Sequence, residues 1–162
     1  GLGDVYKIQV CLYSFATVVM EIDFRYLNVG NIPEILPLMQ DFTDHKYSNA
    51  THSSRFVAMF QHEYDCIGFY DNDHLIGLCG LWYQTRHYSG KSCELDHLYI
   101  KPAYQGQGLG ARFIDWIGSK LQKAGYEALE LNAYKENVAS HRLYVREGFE
   151  HLGFHFVKRL GE

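Results

Sequence analysis

The segment Tyr104-Gln-Gly-Gln-Gly-Leu-Gly110 constrains this chain more than any other, because of what flanks it on each side. Upstream, residues 92–100 form a strand-like run that stops before Pro102, which has no N–H to give a ladder. Downstream, Leu109, Phe113, Ile117 and Leu121 recur every four residues and Ile114 widens the stripe. Residues 108–124 therefore read as an amphipathic helix lying on a sheet. Gly125 stands where a helix C-terminus favours glycine, and residues 128–133 read as the next strand. Strand, helix and strand in that order require a parallel pair joined by a crossover.

The remaining elements fall around this unit. Residues 22–27 alternate as an opening strand. Asn31 followed by Pro33, with Ile35, Leu36, Leu38, Met39 and Phe42 at helical spacing, marks a capped helix. A second helix is expected over residues 54–64, with Phe56, Val57 and Phe60 on one face. Strands at 67–70 and 75–84 are joined by the polar turn Asp71-Asn72-Asp73. After the fifth strand, residues 137–146 form a short helix closed by Gly148, and residues 149–160 are expected to end the chain in one or two strands. The expected fold is α/β: a mixed, mostly antiparallel sheet with one central parallel pair and helices on both faces. No Pro/Ser/Gly-rich or charged run divides the 162 residues, so one domain is expected over residues 20–162. Residues 1–19 read as an N-terminal extension, because Met20 is followed at once by the first strand.

Composition narrows the function. The net charge is -4 and Lys and Arg do not cluster, which argues against a nucleic-acid partner. No run approaches the ~20 apolar residues of a membrane helix. Residues 11–20 make a poor signal peptide, so no membrane partner and a cytoplasmic location are expected. Cys11, Cys66, Cys79 and Cys93 form no CxxC pair and read as reduced thiols, none with a partner that would make it a nucleophile. The nine histidines show no zinc spacing, His151 and His155 included, so no metal is expected.

The glycine segment itself points to a phosphate ligand. Glycines let the backbone come close to a ligand, and the first turn of a helix presents free N–H groups and a partial positive charge. A Rossmann loop requires GxGxxG, whereas this segment reads GxGxG; a Walker loop requires a Gly-Lys-Ser/Thr ending, which is absent. A glycine turn with no ligand remains open on these residues alone.

Two segments together resemble the GNAT superfamily of acetyl-CoA-dependent N-acetyltransferases. Leu98-Tyr-Ile-Lys-Pro-Ala-Tyr-Gln-Gly-Gln-Gly-Leu-Gly110 is similar to the family's hydrophobic strand, Pro and Arg/Gln-x-x-Gly-x-Gly/Ala loop, with Gln105 in place of the commoner Arg. Asn137-Val-Ala-Ser-His-Arg-Leu-Tyr144-Val-Arg-Glu-Gly148-Phe149 resembles the family's Asn-x-x-Ala-x-x-Leu-Tyr-x-x-x-Gly-Phe, with Ser140 where Ala is usual. The resemblance covers residues 92–160 in sequence and, over residues 20–91, only the order of elements.

The resemblance implies acetyl transfer from acetyl-CoA to a primary amine by direct attack in a ternary complex. Main-chain groups of Gln105, Gly106, Gln107, Gly108, Leu109 and Gly110 would hold the pyrophosphate. The strand at Leu98, Tyr99 and Ile100 would pair with the pantetheine arm, with Asn137 and Ser140 near the same arm. Tyr144 would donate a proton to the departing thiolate. An alkylammonium of pKa roughly 10 must lose a proton before it attacks. Glu94, two residues from Asp96 on the strand, matches where several family members carry a catalytic glutamate; Asp96, His97 or no dedicated base are the alternatives. The acceptor is a small-molecule or peptide amine, and a homodimer is implied by analogy. A non-catalytic acyl-CoA-binding domain and transfer of a longer acyl group are the competing readings.

Overall fold

The computed structural model describes residues 21–161, so the expectation for residues 1–19, and Cys11 with it, lies outside the described residues. The elements run β1 (Ile22–Leu27), α1 (Ile32–Phe42), α2 (Asn49–Met59), β2 (Tyr64–Asp71), β3 (His74–Arg86), β4 (Gly90–Ile100), α3 (Leu109–Lys123), β5 (Ala128–Leu131) and α4 (Val138–Arg146). One sheet has the order β1-β2-β3-β4-β5; its first three pairings are antiparallel and β4 pairs β5 in parallel. The strand–helix–strand unit around the glycine segment is therefore present, and the sheet is mixed as expected.

Each face of the sheet has its own core. Ile67, Phe69, Cys79, Leu81, Cys93 and Leu95 pack beneath α3, whose Leu109, Phe113, Ile114, Ile117 and Leu121 are the predicted stripe. Leu27, Tyr64, Cys66, Tyr70, Leu75 and Leu78 pack on the other face against Ile32, Ile35, Leu38, Met39 and Phe56 of α1 and α2. These two layers account for the near-continuous burial of β2 and β3, since strands covered on both sides lose the alternation of half-exposed ones.

Three local expectations need correction. Asn31 does not cap α1 with its side chain; it closes a capping box with Asn28, whose Oδ1 accepts from Gly30 N–H at 2.8 Å over a 3-10 turn at Val29–Asn31. The second helix starts at Asn49 rather than Ser54, because Ser48 Oγ accepts from Thr51 N–H at 3.1 Å and caps it earlier, which frees Tyr64 to open β2. Residues 149–160 form no strand. Phe149 N–H donates to the Tyr144 carbonyl at 2.9 Å, and beyond it Leu152, Phe154, Phe156 and Leu160 are exposed. Aromatic content favours a strand only where a neighbouring ladder accepts it, and here no ladder does. The parallel pair consequently lies at one end of the described sheet rather than at its centre.

Phe113 is fully buried, with its ring 4.7 Å from Phe69 and 5.4 Å from Phe24. Phe113→Ala is expected to lower the unfolding free energy by about 3–5 kcal/mol in denaturant titration.

Candidate active site

The site begins where two strands part. The β4–β5 ladder runs only from Ser92↔Ala128 to Leu95↔Leu131, whereas β4 continues beside β3 as far as Ile100. Leu98, Tyr99 and Ile100 therefore lie on a stretch of β4 with no β5 partner, and all three are half-buried. Backbone groups along such a stretch need partners, and an extended ligand can supply them.

A bulge turns β4 at this point. Leu78 pairs Tyr99 but Gly80 pairs Asp96, so His97 and Leu98 both stand opposite Cys79, with His97 at φ 38°. The extra residue reverses the alternation: Leu95, Leu98 and Ile100 all pack on the α3 side, whereas Tyr99 joins the α1–α2 side.

The glycine segment closes one end of the gap. Gly106 and Gly108 have φ 72° and 75°, and a Cβ at either would meet nothing, so they are glycines for conformation rather than for room. Gly110 serves differently: a Cβ there would lie 3.0 Å from Leu143 Cδ2, so its absence lets α4 approach α3. Gln105 Nε2 donates to the Ile100 carbonyl at 2.7 Å and Gln107 Nε2 to Ala103 at 3.1 Å, folding both side chains back along the loop. Leu109 is buried and anchors the helix start. The helix ladder begins with Arg112 N–H on the Gly108 carbonyl at 3.1 Å, so the N–H groups of residues 109–111 have no acceptor within the helix. Oriented N–H groups and the helix dipole fit an anion such as a pyrophosphate.

On the α1–α2 side, carboxylates collect near the gap. Glu94 Oε2 accepts from Arg86 at 2.9 Å and Gln84 at 3.3 Å, and Oε1 accepts from Asn132 at 2.7 Å. Arg86 also lies 3.1 Å from Glu130, which accepts from Ser89 at 2.7 Å and Tyr88 at 3.1 Å. Burial disfavours the ionised Glu130, but the hydroxyls of Ser92, Ser89 and Tyr88 together with Arg86 outweigh it and hold its carboxyl below the usual range. Asp96 Oδ2 lies 3.2 Å from Trp82 Nε1 and 3.2 Å from His97 Nδ1. Burial opposes its ionisation too, yet the bonds from His97 and Trp82 hold the Asp96 carboxyl at about 2. Glu94 and Asp96 thus share a face, as their spacing implied. His97 is only 6% exposed and turned into the α1–α2 core, away from the gap.

Tyr144 comes from the other side. It packs from α4 on the α3 core with its ring 5.8 Å from Phe149, and burial raises its phenol above the usual tyrosine value. Asn137 caps α4, its Oδ1 accepting from Ser140 N–H at 3.2 Å, which sets where the helix starts and hence where Tyr144 falls two turns on. The carboxylates and the phenol lie on opposite faces of the sheet, and the gap between β4 and β5 is where groups from both faces can meet one ligand. The three described thiols are buried, which pushes Cys66 and Cys93 up to about 12 and Cys79 above its usual value. Arg86, Trp82, Tyr64 and Asn132 were not singled out from sequence; the alternation Trp82, Gln84, Arg86 on β3 was the available signal.

A family model, the acetyltransferase (GNAT) family, matches residues 32–149. The chain is 30% identical over 90 residues to the aminoalkylphosphonate N-acetyltransferase of Salmonella typhimurium, a match covering 55% of this chain and 58% of that protein. It is 27% identical over 139 residues to the spermine/spermidine N(1)-acetyltransferase of Bacillus subtilis, covering 83% and 91%. Among solved structures, the aminoglycoside N-acetyltransferase AAC(6')-Iy in complex with CoA superposes with a TM-score of 0.74 at 14% identity, over 86% of this chain and 94% of that one. That last likeness is one of fold. Among the described residues no helix is long and apolar enough to cross a membrane.

Gly108→Ala puts a side chain at φ 75°, at a cost of roughly 1–2 kcal/mol unless the loop shifts. Calorimetry with CoA is expected to register the shift as about tenfold weaker binding, that cost expressed as affinity.

Proposed function

This chain belongs to the acetyltransferase (GNAT) family, and from that premise we propose that it transfers an acetyl group from acetyl-CoA to the primary amine of a small molecule. The observation that carries the reading is the gap between β4 and β5, with the glycine loop at one end, carboxylates on one face and a tyrosine on the other. The matched relatives bear the names of enzymes that act on amines, which supports turnover over a bare acyl-CoA-binding domain.

The residues divide the work as follows. Acetyl-CoA supplies the acyl group as a thioester. N–H groups of the Gln105, Gly106, Gln107, Gly108, Leu109 and Gly110 segment hold its pyrophosphate. Main-chain groups of Leu98, Tyr99 and Ile100 pair with the pantetheine arm, and Asn137 and Ser140 border it from α4. A main-chain N–H of the bulged strand donates to the carbonyl oxygen as negative charge develops there. Glu94, with donors on both oxygens, orients the water that removes the ammonium proton. Tyr144 protonates the leaving thiolate; its raised pKa keeps it an acid at neutral pH, so this role is lost only as pH rises past its shifted value. Holding amine and thioester together supplies much of the acceleration.

The acceptor side carries Glu94, Asp96 and Glu130 against one guanidinium, Arg86, which is already shared between two of them. That excess of negative charge, beside the ring of Trp82, suits an acceptor with ammonium groups and no anion. Of the activities named for the relatives, this favours the spermine/spermidine kind over the aminoalkylphosphonate kind.

Two assays test the proposal. Thiol release from acetyl-CoA should run at least ~10-fold faster, as kcat/KM, with a diamine than with an aminoalkylphosphonate, as expected where one charge partner repels; the reverse order would refute the acceptor assignment. Tyr144→Phe should lower kcat by about 10²-fold, in the range of general acid catalysis, while leaving acetyl-CoA affinity within about threefold. Unchanged turnover in that variant would remove Tyr144 from the mechanism.

A further inference from the structure

The bulge in β4, just past the end of the β4–β5 ladder, is made at a histidine, and its side chain is enclosed as if it were part of the core. At φ 38°, His97 occupies a left-handed conformation that glycine adopts freely and histidine does not. The ring is 6% exposed and fixed from four directions. Its Nδ1 lies 3.2 Å from Asp96 Oδ2 and its Nε2 lies 3.0 Å from the Tyr64 hydroxyl. The rings of Phe56 and Tyr64 stand 5.5 and 6.1 Å from it. On β3, Gly80 leaves the socket: a Cβ there would fall 2.4 Å from His97 Cε1.

Bond chemistry sets the proton positions. A carboxylate only accepts, so Nδ1 carries the hydrogen, and in the neutral ring Nε2 then accepts from the Tyr64 hydroxyl. Tyr64 is itself 5% exposed, and its phenol is raised by burial, so it remains a donor. Both ring nitrogens are used.

Resting on the acetyltransferase reading above, we propose that His97 is a positioning residue for the reaction: clamped between Asp96, Tyr64 and the Gly80 socket, it fixes the bulge that aims the main chain of Leu98 and Tyr99 into the gap. On the β5 side the bulge has no ladder partner, because the parallel ladder has ended at Leu95. A regular strand would place His97 and Tyr99 on the same face as Leu95 and carry Leu98 and Ile100 to the other. The clamp thus decides which main-chain groups face the thioester. It also couples the two machineries: the same Asp96 oxygen that holds Nδ1 receives the Trp82 N–H on the acceptor side.

The test uses three variants of the full chain, with CoA affinity by calorimetry, kcat and KM by thiol release, and thermal melting on each. Tyr64→Phe keeps the ring packing and removes one bond. Gly80→Ala fills the socket from the neighbouring strand. His97→Gly relieves the backbone and removes the clamp. A positioning role predicts kcat lower by about 10²-fold in Gly80→Ala and His97→Gly, the loss expected when an oxyanion donor is misaimed. Tyr64→Phe should show a smaller loss in the same direction. CoA affinity rests on the glycine loop as well as on the Leu98–Ile100 main chain, so it should fall far less than kcat, by no more than about tenfold. Full turnover in His97→Gly would overturn the proposal, because conformation alone would then suffice. Parallel loss of kcat and CoA affinity would overturn it too, since that is the mark of a collapsed cleft. Should His97→Gly or Gly80→Ala fail to fold, Tyr64→Phe decides by the same split, its unchanged kcat counting against the clamp. A wild-type chain that binds no CoA removes the acetyltransferase reading and this proposal together, whereas wild-type turnover retained in all three variants removes only the clamp.

Discussion

The end of the β4–β5 ladder at Leu95 and Leu131 is the constraint on which the rest of the molecule depends. The parallel pair ends where β5 runs out at Leu131, whereas β4 carries on beside β3 as far as Ile100. Backbone groups left unpaired in a half-buried stretch cost free energy unless something satisfies them. Two features meet at this end of β4. The bulge at His97 turns β4, and the N-terminus of α3 is brought to the end of the same strand by Gln105 bonding the Ile100 carbonyl. Cleft, anion site and strand edge are one construction, and altering any of them alters the others.

The sheet also separates two kinds of chemistry. Carboxylates and an arginine occupy the face toward α1 and α2, whereas the Tyr144 phenol is buried with the α3 core. Across an intact sheet these groups would not meet. On the proposed reading they meet at the gap, the acceptor approaching from the charged side and the leaving sulfur lying toward the phenol. Asn137 matters here through helix capping, because where α4 begins determines where Tyr144 falls.

Much of this was legible in the sequence because it is local. The glycine loop, the stripe of α3, Gly125 and Gly148 after their helices, and the Asn137–Tyr144 spacing all depend on residues within two or three turns of each other. What sequence reading missed depends on partners far along the chain. The strand expected over residues 149–160 needed a ladder that is not there, whatever its aromatic content. The early start of α2 was readable in Ser48-x-x-Thr51, but the apolar stripe beginning at Phe56 drew the boundary later. The bulge at His97 could not be read at all. A histidine in a left-handed conformation carries no local signal, since Tyr64 is 33 residues away and Gly80 lies on another strand.

The charges beside the gap also set limits on how a proton can leave the acceptor. Asp96, held at about 2, is ionised at any working pH but is a weak base. Glu94 has both oxygens engaged, Oε2 by Arg86 and Gln84 and Oε1 by Asn132. Negative charge beside the gap raises the local concentration of an ammonium and at the same time stabilises its charged form. On the proposed reading, this favours capture of a cation at the expense of ready deprotonation. That conflict is resolved if the proton passes through an ordered water to bulk solvent rather than staying on a side chain. On this view the carboxylates serve to gather and orient the amine, and the steepness of the pH dependence belongs to the acceptor's own ionisation.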